Sequence, residues 1–150
     1  MNPEQIRKTA DLLFAKAMEI KQGGNDLRPV LFGIAKDPTQ QSLIFLPPEK
    51  EAWPSILQLL APKADAILFV TEAWMARPKK NEVPMDIPVR DMPNAMDALI
   101  GVLYTLRGET LFTSILQDGI PGTPEILDGV RFPNGNLTNP YPLNLPQADA

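Results

Sequence analysis

The N-terminal stretch of the chain carries the hydrophobic pattern of an amphipathic helix. Apolar residues recur there at spacings of four, three, four and three, so they share one helical face. These residues are Ile6, Ala10, Leu13, Ala17 and Ile20. Asn2 is a suitable N-cap, Pro3 suits the first helical position, and Gly23-Gly24 supplies a stop. The pattern predicts a helix from Pro3 to Gln22.

Two short apolar runs follow, separated by a polar cluster. The runs are Pro29–Ala35 and Ser42–Leu46, and the cluster is Lys36–Gln41. A turn-rich cluster between two strand-like runs predicts an antiparallel hairpin.

A second helical pattern covers Glu49–Ala61 and ends at Pro62. Proline deep inside a helix costs about 3 kcal/mol. We therefore expect the regular helix to begin near Trp53, with Pro54 at its first position, or a short turn to precede it.

The longest apolar run, from Asp65 to Ala76, predicts the central strand of a sheet. With a period of two, one face carries Ile67, Phe69, Thr71, Ala73 and Met75, and the other carries Ala66, Leu68, Val70, Glu72 and Trp74. Both faces are mostly apolar, which is typical of a strand covered on both sides. Glu72 is the chemical exception on this element.

A second hairpin is expected from Asp97–Arg107 and Thr110–Gln117, which flank Gly108-Glu109. Glycine at the first of two turn positions is typical of a type II′ turn. Residues 77–96, before this hairpin, are rich in proline and charge, and we interpret them as a long loop. After the hairpin, Glu125–Asp128 or Val130–Phe132 is expected to add a short strand.

Together these elements predict an α+β fold with a mainly antiparallel sheet of about five strands. Two helices pack on the sheet, on the same face or on opposite faces. Residues 1–132 are expected to form a single domain, and residues 133–150 an irregular tail, rich in proline and asparagine, that orders on contact or stays flexible.

The composition removes the commonest catalytic and metal-binding chemistries. The chain has no Cys and no His, which excludes disulfides, thiolate nucleophiles, zinc sites built from these residues and histidine catalysis. Any metal is therefore expected to be a hard ion with oxygen ligands, such as magnesium, manganese or calcium. No standard catalytic constellation remains, so an enzyme is not our first expectation.

Charge and hydropathy set the expected surroundings of the protein. A net charge of −4 disfavours a nucleic-acid binder. No apolar stretch approaches the roughly 20 residues of a membrane span, and the N-terminus lacks the features of a signal peptide. We therefore expect a cytoplasmic protein without a membrane segment.

Four carboxylates are candidates for a functional site: Glu72, Asp86, Asp91 and Asp97. If the central strand and the Asp97 strand are antiparallel neighbours, Glu72 and Asp97 come close together, with Asp86 or Asp91 above them. Converging carboxylates bind a hard divalent ion or form a catalytic acid–base pair. Alternatively, Glu72 caps a loop backbone or pairs with an arginine, which gives it a structural role. The arginines considered for such a pair are Arg77, Arg90 and Arg107.

A second candidate site is a partner-binding surface that contains Trp74, Arg77, Lys79 and Lys80. A tryptophan at the end of a sheet anchors a partner peptide or stacks on a base. Alternatively, Trp74 covers the end of the core and the basic residues form a solvated loop tip.

The string Phe69-Val-Thr-Glu-Ala-Trp74, followed by a proline-rich stretch and Met92–Val102, resembles small uncharacterised bacterial and phage proteins. In those proteins a strand ending in Ser/Thr-Glu-Ala-Trp precedes a proline-containing segment, an acidic residue and another apolar strand. This chain departs from the pattern at Asn94 and Met96, where charged residues are expected, and at Asp97, where glutamate is expected. The resemblance implies a bacterial or phage origin and a strand–loop–strand arrangement, and it brings no function.

We therefore expect a non-enzymatic interaction or accessory domain that binds a protein partner or a second copy of itself. Its contact surfaces are expected in residues 77–96 and 121–150, and no cofactor is expected. The alternative is an enzyme or ion-binding protein that uses Glu72 and Asp97 with magnesium, manganese or calcium.

Overall fold

The computed structural model describes residues 1–75, 95–128 and 137–141. Helix α1 runs from Pro3 to Gln22, as predicted, and Asn2 and Gln5 close its first turn with a reciprocal capping box. The buried stripe of α1 is Ile6, Ala10, Phe14 and Ala17. The buried face is therefore turned slightly about the helix axis relative to the predicted one. Leu13 is only partly buried and Ile20 is exposed, whereas Phe14 is buried. No helix of the described ranges is long and apolar enough to cross a membrane.

Within the described residues the sheet contains seven strands, and all of their pairings are antiparallel. They are β1 (Val30–Ile34), β2 (Ser42–Phe45), β3 (Ala66–Met75), β4 (Met96–Thr105), β5 (Gly108–Gln117), β6 (Ile120–Pro121) and β7 (Glu125–Asp128). Their order is β2-β1-β3-β4-β5-β6, and β7 also pairs with β5. The α+β, mainly antiparallel prediction is confirmed. The strand count was too low because the short strands β6 and β7 both form along β5.

The two helices cover opposite faces of the sheet. On the α1 face, Ala66, Leu68 and Val70 of β3 pack with the buried stripe of α1. On the α2 face, Ile67 and Phe69 of β3 pack against the second helix. The period-two pattern of the central strand is thus confirmed, since each face of β3 has its own hydrophobic cluster.

Helix α2 spans Trp53–Leu60, and a short 3-10 turn over Lys50–Ala52 precedes it. Pro54 occupies the first turn, where its missing N–H leaves no helical bond unmade. The indole N–H of Trp53 donates to the carbonyl of Pro47 at 2.7 Å, and its ring lies 5.8 Å from that of Phe69. Trp53 therefore fixes α2 to the sheet.

The β4–β5 hairpin turns at Leu106-Arg107, two residues before the predicted position. Thr105 pairs with Gly108, which opens β5 with a φ of 124°. The Thr105 hydroxyl accepts from the Arg107 backbone N–H and donates to the Gly108 carbonyl. Position 108 requires glycine because residues with a Cβ rarely adopt a φ in this range. The glycine thus follows the turn and does not form it.

Part of the predicted tail lies against the domain. Leu137 is buried in the cluster on the α2 face. Asn139 donates to the carbonyl of Thr105, and the Tyr141 hydroxyl donates to the carbonyl of Ala64 at 2.9 Å. Burial raises the pKa of the Tyr141 hydroxyl well above its ordinary value. Residues 137–141 are therefore held against the sheet.

Most of the predicted long loop, residues 77–94, lies outside the described residues. Met96, which the sequence assigned to the loop, opens β4 and pairs with Met75. The candidate strand Val130–Phe132 also lies outside them.

Candidate functional site: an ion-paired cluster beside an exposed tryptophan

The strands bring Glu72 and Asp97 to one place, as the sequence predicted. In the antiparallel β3–β4 pair, Glu72 lies opposite Leu99 and Trp74 lies opposite Asp97. All four residues share the α1 face, because side chains opposite each other project to the same side of a sheet. Glu72 and Asp97 are diagonal neighbours in this register, a relation that separates residues by about 7–8 Å.

The partner of Glu72 is Lys21, in the last turn of α1. Lys21 Nζ lies 2.6 Å from Glu72 Oε1, and the two side chains are only 11% and 29% exposed. Glu72 Oε1 itself is shielded from solvent. The bond to Glu72 raises the pKa of Lys21, although burial acts in the opposite direction. A lysine at this position also complements the negative end of the helix dipole.

In the described residues the ion-pair partner of Glu72 is thus a lysine, where the sequence suggested an arginine or a loop backbone as alternatives. Arg107 lies in the turn beyond Thr105, at the other end of β4 from the residues that flank Glu72. Arg77 and Arg90 lie outside the described residues. Glu72 thus has the structural role of an ion-pair partner, and the cation that it binds is Lys21 of the helix covering this face.

Asp97 is in a different electrostatic situation from Glu72. Burial raises the pKa of the Asp97 carboxyl, and the negative charge of Glu72 raises it further, while Lys21 and the Ala98 backbone N–H lower it. No lysine or arginine in the described ranges forms an ion pair with Asp97. Asp97 is therefore a half-buried carboxylate without a paired cation in this part of the chain.

In the described ranges, the cluster of Lys21, Glu72 and Asp97 lacks the arrangement of ligands that a preformed metal site has. The Lys21 ammonium occupies the position beside Glu72 Oε1 that a bound cation would take. No group of three metal-ligating side chains occurs among residues 1–75, 95–128 and 137–141. Asp86 and Asp91, the other proposed ligands, lie outside these ranges.

Trp74 is 51% exposed, directly across the strand pair from Asp97. It contrasts with Trp53, whose indole N–H is bonded and whose ring packs on Phe69. Trp74 therefore presents apolar aromatic surface beside a carboxylate. Arg77, Lys79 and Lys80, the basic residues grouped with it in the sequence, lie outside the described residues.

A cavity of about 500 Å³ lies elsewhere, between the start of α1 and the β4–β5 turn. Its lining includes Ile6 and Leu103 with Arg7 and Asp128, whose side chains are ion-paired at 2.7 Å. Glu72, Trp74 and Asp97 do not line it. The cavity and the cluster at Glu72 are thus separate features near opposite ends of α1.

Lys21 is the site residue that the sequence reasoning missed. It follows Ala17 by four residues and so continues the buried stripe through Ala10, Phe14 and Ala17. A charged residue in line with a buried stripe requires a partner of opposite charge. That requirement was visible in the sequence, but the partner depended on α1 covering the face that carries Glu72.

Comparison with known proteins finds no matching family, no matching curated protein and no matching solved structure. The resemblance of Phe69–Trp74 to bacterial and phage proteins stays a prediction.

Proposed function

We propose that the chain is a non-enzymatic interaction domain, and that Trp74 and Asp97 together receive a basic side chain of a protein partner. The observation that carries this proposal is the register pair Trp74–Asp97, which sets a half-exposed indole directly opposite a carboxylate without a paired cation in the described ranges. The origin of the protein in a bacterium or phage and its cytoplasmic location remain part of the same proposal.

The chemistry of the pair suits an arginine or lysine side chain. The face of an indole attracts a cation by about 0.5–1 kcal/mol at exposed sites and by about 2 kcal/mol when desolvated. The Asp97 carboxylate, one cross-strand position away, offers a charged hydrogen-bond acceptor to the same cation. The net charge of −4 favours approach of a basic partner.

The Lys21–Glu72 ion pair supports the assignment of Asp97, and not Glu72, as the carboxylate that binds the partner's cation. Glu72 is already neutralised by a cation at 2.6 Å, so it does not compete for the partner. Asp97 has a raised pKa, which a bound cation would lower. Binding is therefore expected to strengthen as the pH rises and Asp97 loses its proton.

The proposal is tested by titrating the protein with the peptide acetyl-Gly-Arg-Gly-Arg-Gly-amide and, in parallel, with its glutamine counterpart. The indole N–H signal of Trp74 is followed by NMR, and the signal of Trp53 serves as the internal reference. A saturable shift confined to Trp74 and caused only by the arginine peptide supports the proposal. Equal shifts with both peptides, or no shift at the highest peptide concentration, would reject a site for a basic side chain.

Matched variants locate the contact. Trp74→Leu is expected to abolish binding measured by calorimetry, whereas Leu12→Ala is expected to leave it unchanged. Leu12 is 71% exposed on α1, so its substitution removes a comparable apolar side chain elsewhere on the surface. Loss of binding in Leu12→Ala would show that the effect is not specific to Trp74.

A hard-metal site at Glu72 and Asp97 is the second candidate, because the two carboxylates share one face and Glu72 raises the pKa of Asp97. A metal at about 100 times its dissociation constant adds roughly 2.7 kcal/mol of stability. Thermal melts with and without magnesium, manganese and calcium separate the candidates. A rise in Tm that disappears in Glu72→Gln would favour the metal site over the interaction surface.

A further inference from the structure

Strand β2 forms one end of the sheet, and no strand of the described ranges pairs with its outer side. The hydrogen-bonding direction of each residue follows from the β1–β2 register. The Leu46 N–H donates to the Pro29 carbonyl at 2.9 Å, and hydrogen-bonded pairs alternate along an antiparallel ladder. Ile44, opposite Leu31, therefore bonds to β1, while Leu43 and Phe45 direct their backbone N–H and C=O groups outward.

The side chains of this edge are apolar and exposed. Leu43 and Phe45 are each 53% exposed, on the α1 face of the strand, while Ile44 faces the other side and is half-buried. The Arg28 guanidinium lies 5.4 Å from the centre of the Phe45 ring. Leu43 and Phe45 thus combine unpaired backbone groups with exposed hydrophobic surface.

The devices that normally protect an edge strand do not occur within β2. Proteins usually block an exposed edge with a charged side chain, a proline or a bulge. The segment Gln41–Leu46 contains no charge and no proline, and its pairing with β1 is regular. Pro47-Pro48 follow at once and cannot donate to a ladder, so they limit any added pairing to this short segment.

We propose that β2 pairs with β2 of a second copy of the chain, antiparallel and about a two-fold axis. In that register Leu43 of each copy lies opposite Phe45 of the other, and the two Ile44 residues face each other. The outward groups of Leu43 and Phe45 then form four backbone hydrogen bonds across the axis. The two sheets become one continuous sheet.

A second copy of β2 is the partner that fits this edge best, because the strand is complementary to itself. The central pairs of the two-fold register, Leu43 with Phe45 and Ile44 with Ile44, are apolar against apolar and lie on opposite faces of the sheet. The absence of charge from Gln41 to Leu46 also lets two chains of net charge −4 meet here without opposed like charges. The same β2 edge of each copy is used in the contact, so this isologous pairing closes as a dimer.

The contact is small, so the dimer is expected to be weak and dependent on concentration. Sedimentation equilibrium over roughly a hundredfold range of concentration around tens of micromolar measures it directly. The weight-average mass of the wild type is expected to rise from one chain towards two. A mass of one chain at every concentration would overturn the proposal.

Charge substitutions on β2 test where the contact lies. Leu43→Lys adds a charge to the edge and is expected to raise the dissociation constant at least about tenfold. Leu12→Lys adds the same charge to an exposed position on α1 and is expected to dimerise like the wild type. Circular dichroism spectra identical to that of the wild type establish that both variants are folded. Undiminished dimerisation of Leu43→Lys would reject the β2 contact.

Amide hydrogen exchange gives a second readout that does not depend on a variant. The Leu43 and Phe45 amides are expected to be protected only at concentrations where the dimer forms. The Ile44 amide, which is directed to β1, is expected to be protected at all concentrations and is the internal control. A dimer in which protection of Leu43 and Phe45 does not change with concentration would place the interface elsewhere and refute the inference.

Discussion

Substitution of Lys21 by methionine tests whether the ion pair with Glu72 stabilises the fold. Methionine keeps most of the length of the side chain, replaces one methylene by sulfur and removes the ammonium group. Glu72 Oε1, which is shielded from solvent, would then lose its compensating charge. We expect the free energy of unfolding to fall.

The size of the effect lies between two limits. Exposed ion pairs contribute about 0–1 kcal/mol, whereas removing one partner of a fully buried pair costs about 3–5 kcal/mol. Lys21 and Glu72 are 11% and 29% exposed, so solvent screens the pair partly. We therefore expect a loss of about 2 kcal/mol, which corresponds to a fall in Tm of about 4–8 °C for a domain of this size.

Urea denaturation followed by circular dichroism measures the change, with Lys16→Met as the matched control. Lys16 lies on the same helix and pairs with Glu19 at 3.4 Å, but both side chains are about 70% exposed. Its substitution is expected to change stability by less than about 0.5 kcal/mol. Equal effects of the two substitutions would refute the reasoning from burial.

A double-mutant cycle of Lys21→Met and Glu72→Gln isolates the pair itself. The coupling energy is expected to be about 1–2 kcal/mol. Because the folded-state pKa of Lys21 is raised, its contribution is present below its ordinary value of 10.5 and is lost as the pH rises through the folded-state value. Additive single effects at pH 7 would mean that the two groups do not stabilise each other.

Three further predictions concern the same face and the chain end. Asp97→Asn is expected to raise the Tm at pH 7 but not below the ordinary pKa of 3.8, because a raised folded-state pKa means that stability falls as Asp97 ionises; a lower Tm at pH 7 would contradict this. Tyr141→Phe removes the hydrogen bond to Ala64 and should cost about 1 kcal/mol in urea denaturation; no change would mean the bond contributes nothing. Gly101→Ala places a Cβ 2.8 Å from Phe14 Cδ1 and should cost about 1–3 kcal/mol, with a smaller penalty in a Phe14→Leu background; an equal penalty in both backgrounds would exclude this contact as the cause.

The elements whose signals are local could be predicted from the sequence. The bounds of α1 follow from a cap, a periodic stripe and a double glycine, all of which lie within the helix or directly next to it. The β1–β2 hairpin and the two faces of β3 follow equally from short-range patterns. These features needed no knowledge of what packs against them.

The remaining features depend on tertiary contacts. The ion pair of Glu72 requires α1 to cover its face of β3, and the sequence left open which face each helix covers. The turn at Leu106-Arg107 is selected by the register of two ten-residue strands, which outweighs the local glycine signal. The contact of Tyr141 with Ala64 joins residues far apart in the chain, and no periodicity encodes such a contact.

The candidate site was predictable in part for the same reason. Antiparallel pairing of β3 and β4 was sufficient to bring Glu72 and Asp97 to one face. The exposure of Trp74 was not predictable, because the period-two pattern of β3 places Trp74 on a face but does not say what covers it there. Lys21 had a signal in the helical stripe, but a stripe alone does not identify its partner.

The most direct test of a basic-side-chain site is the dissociation constant of the diarginine peptide for the wild type and for Asp97→Asn, measured from the Trp74 indole signal at pH 7. We expect saturable binding to the wild type and binding at least about tenfold weaker to Asp97→Asn, since the charged acceptor is removed and the aromatic face is kept. Equal affinity in the two proteins, or no binding to the wild type, would contradict the proposed function.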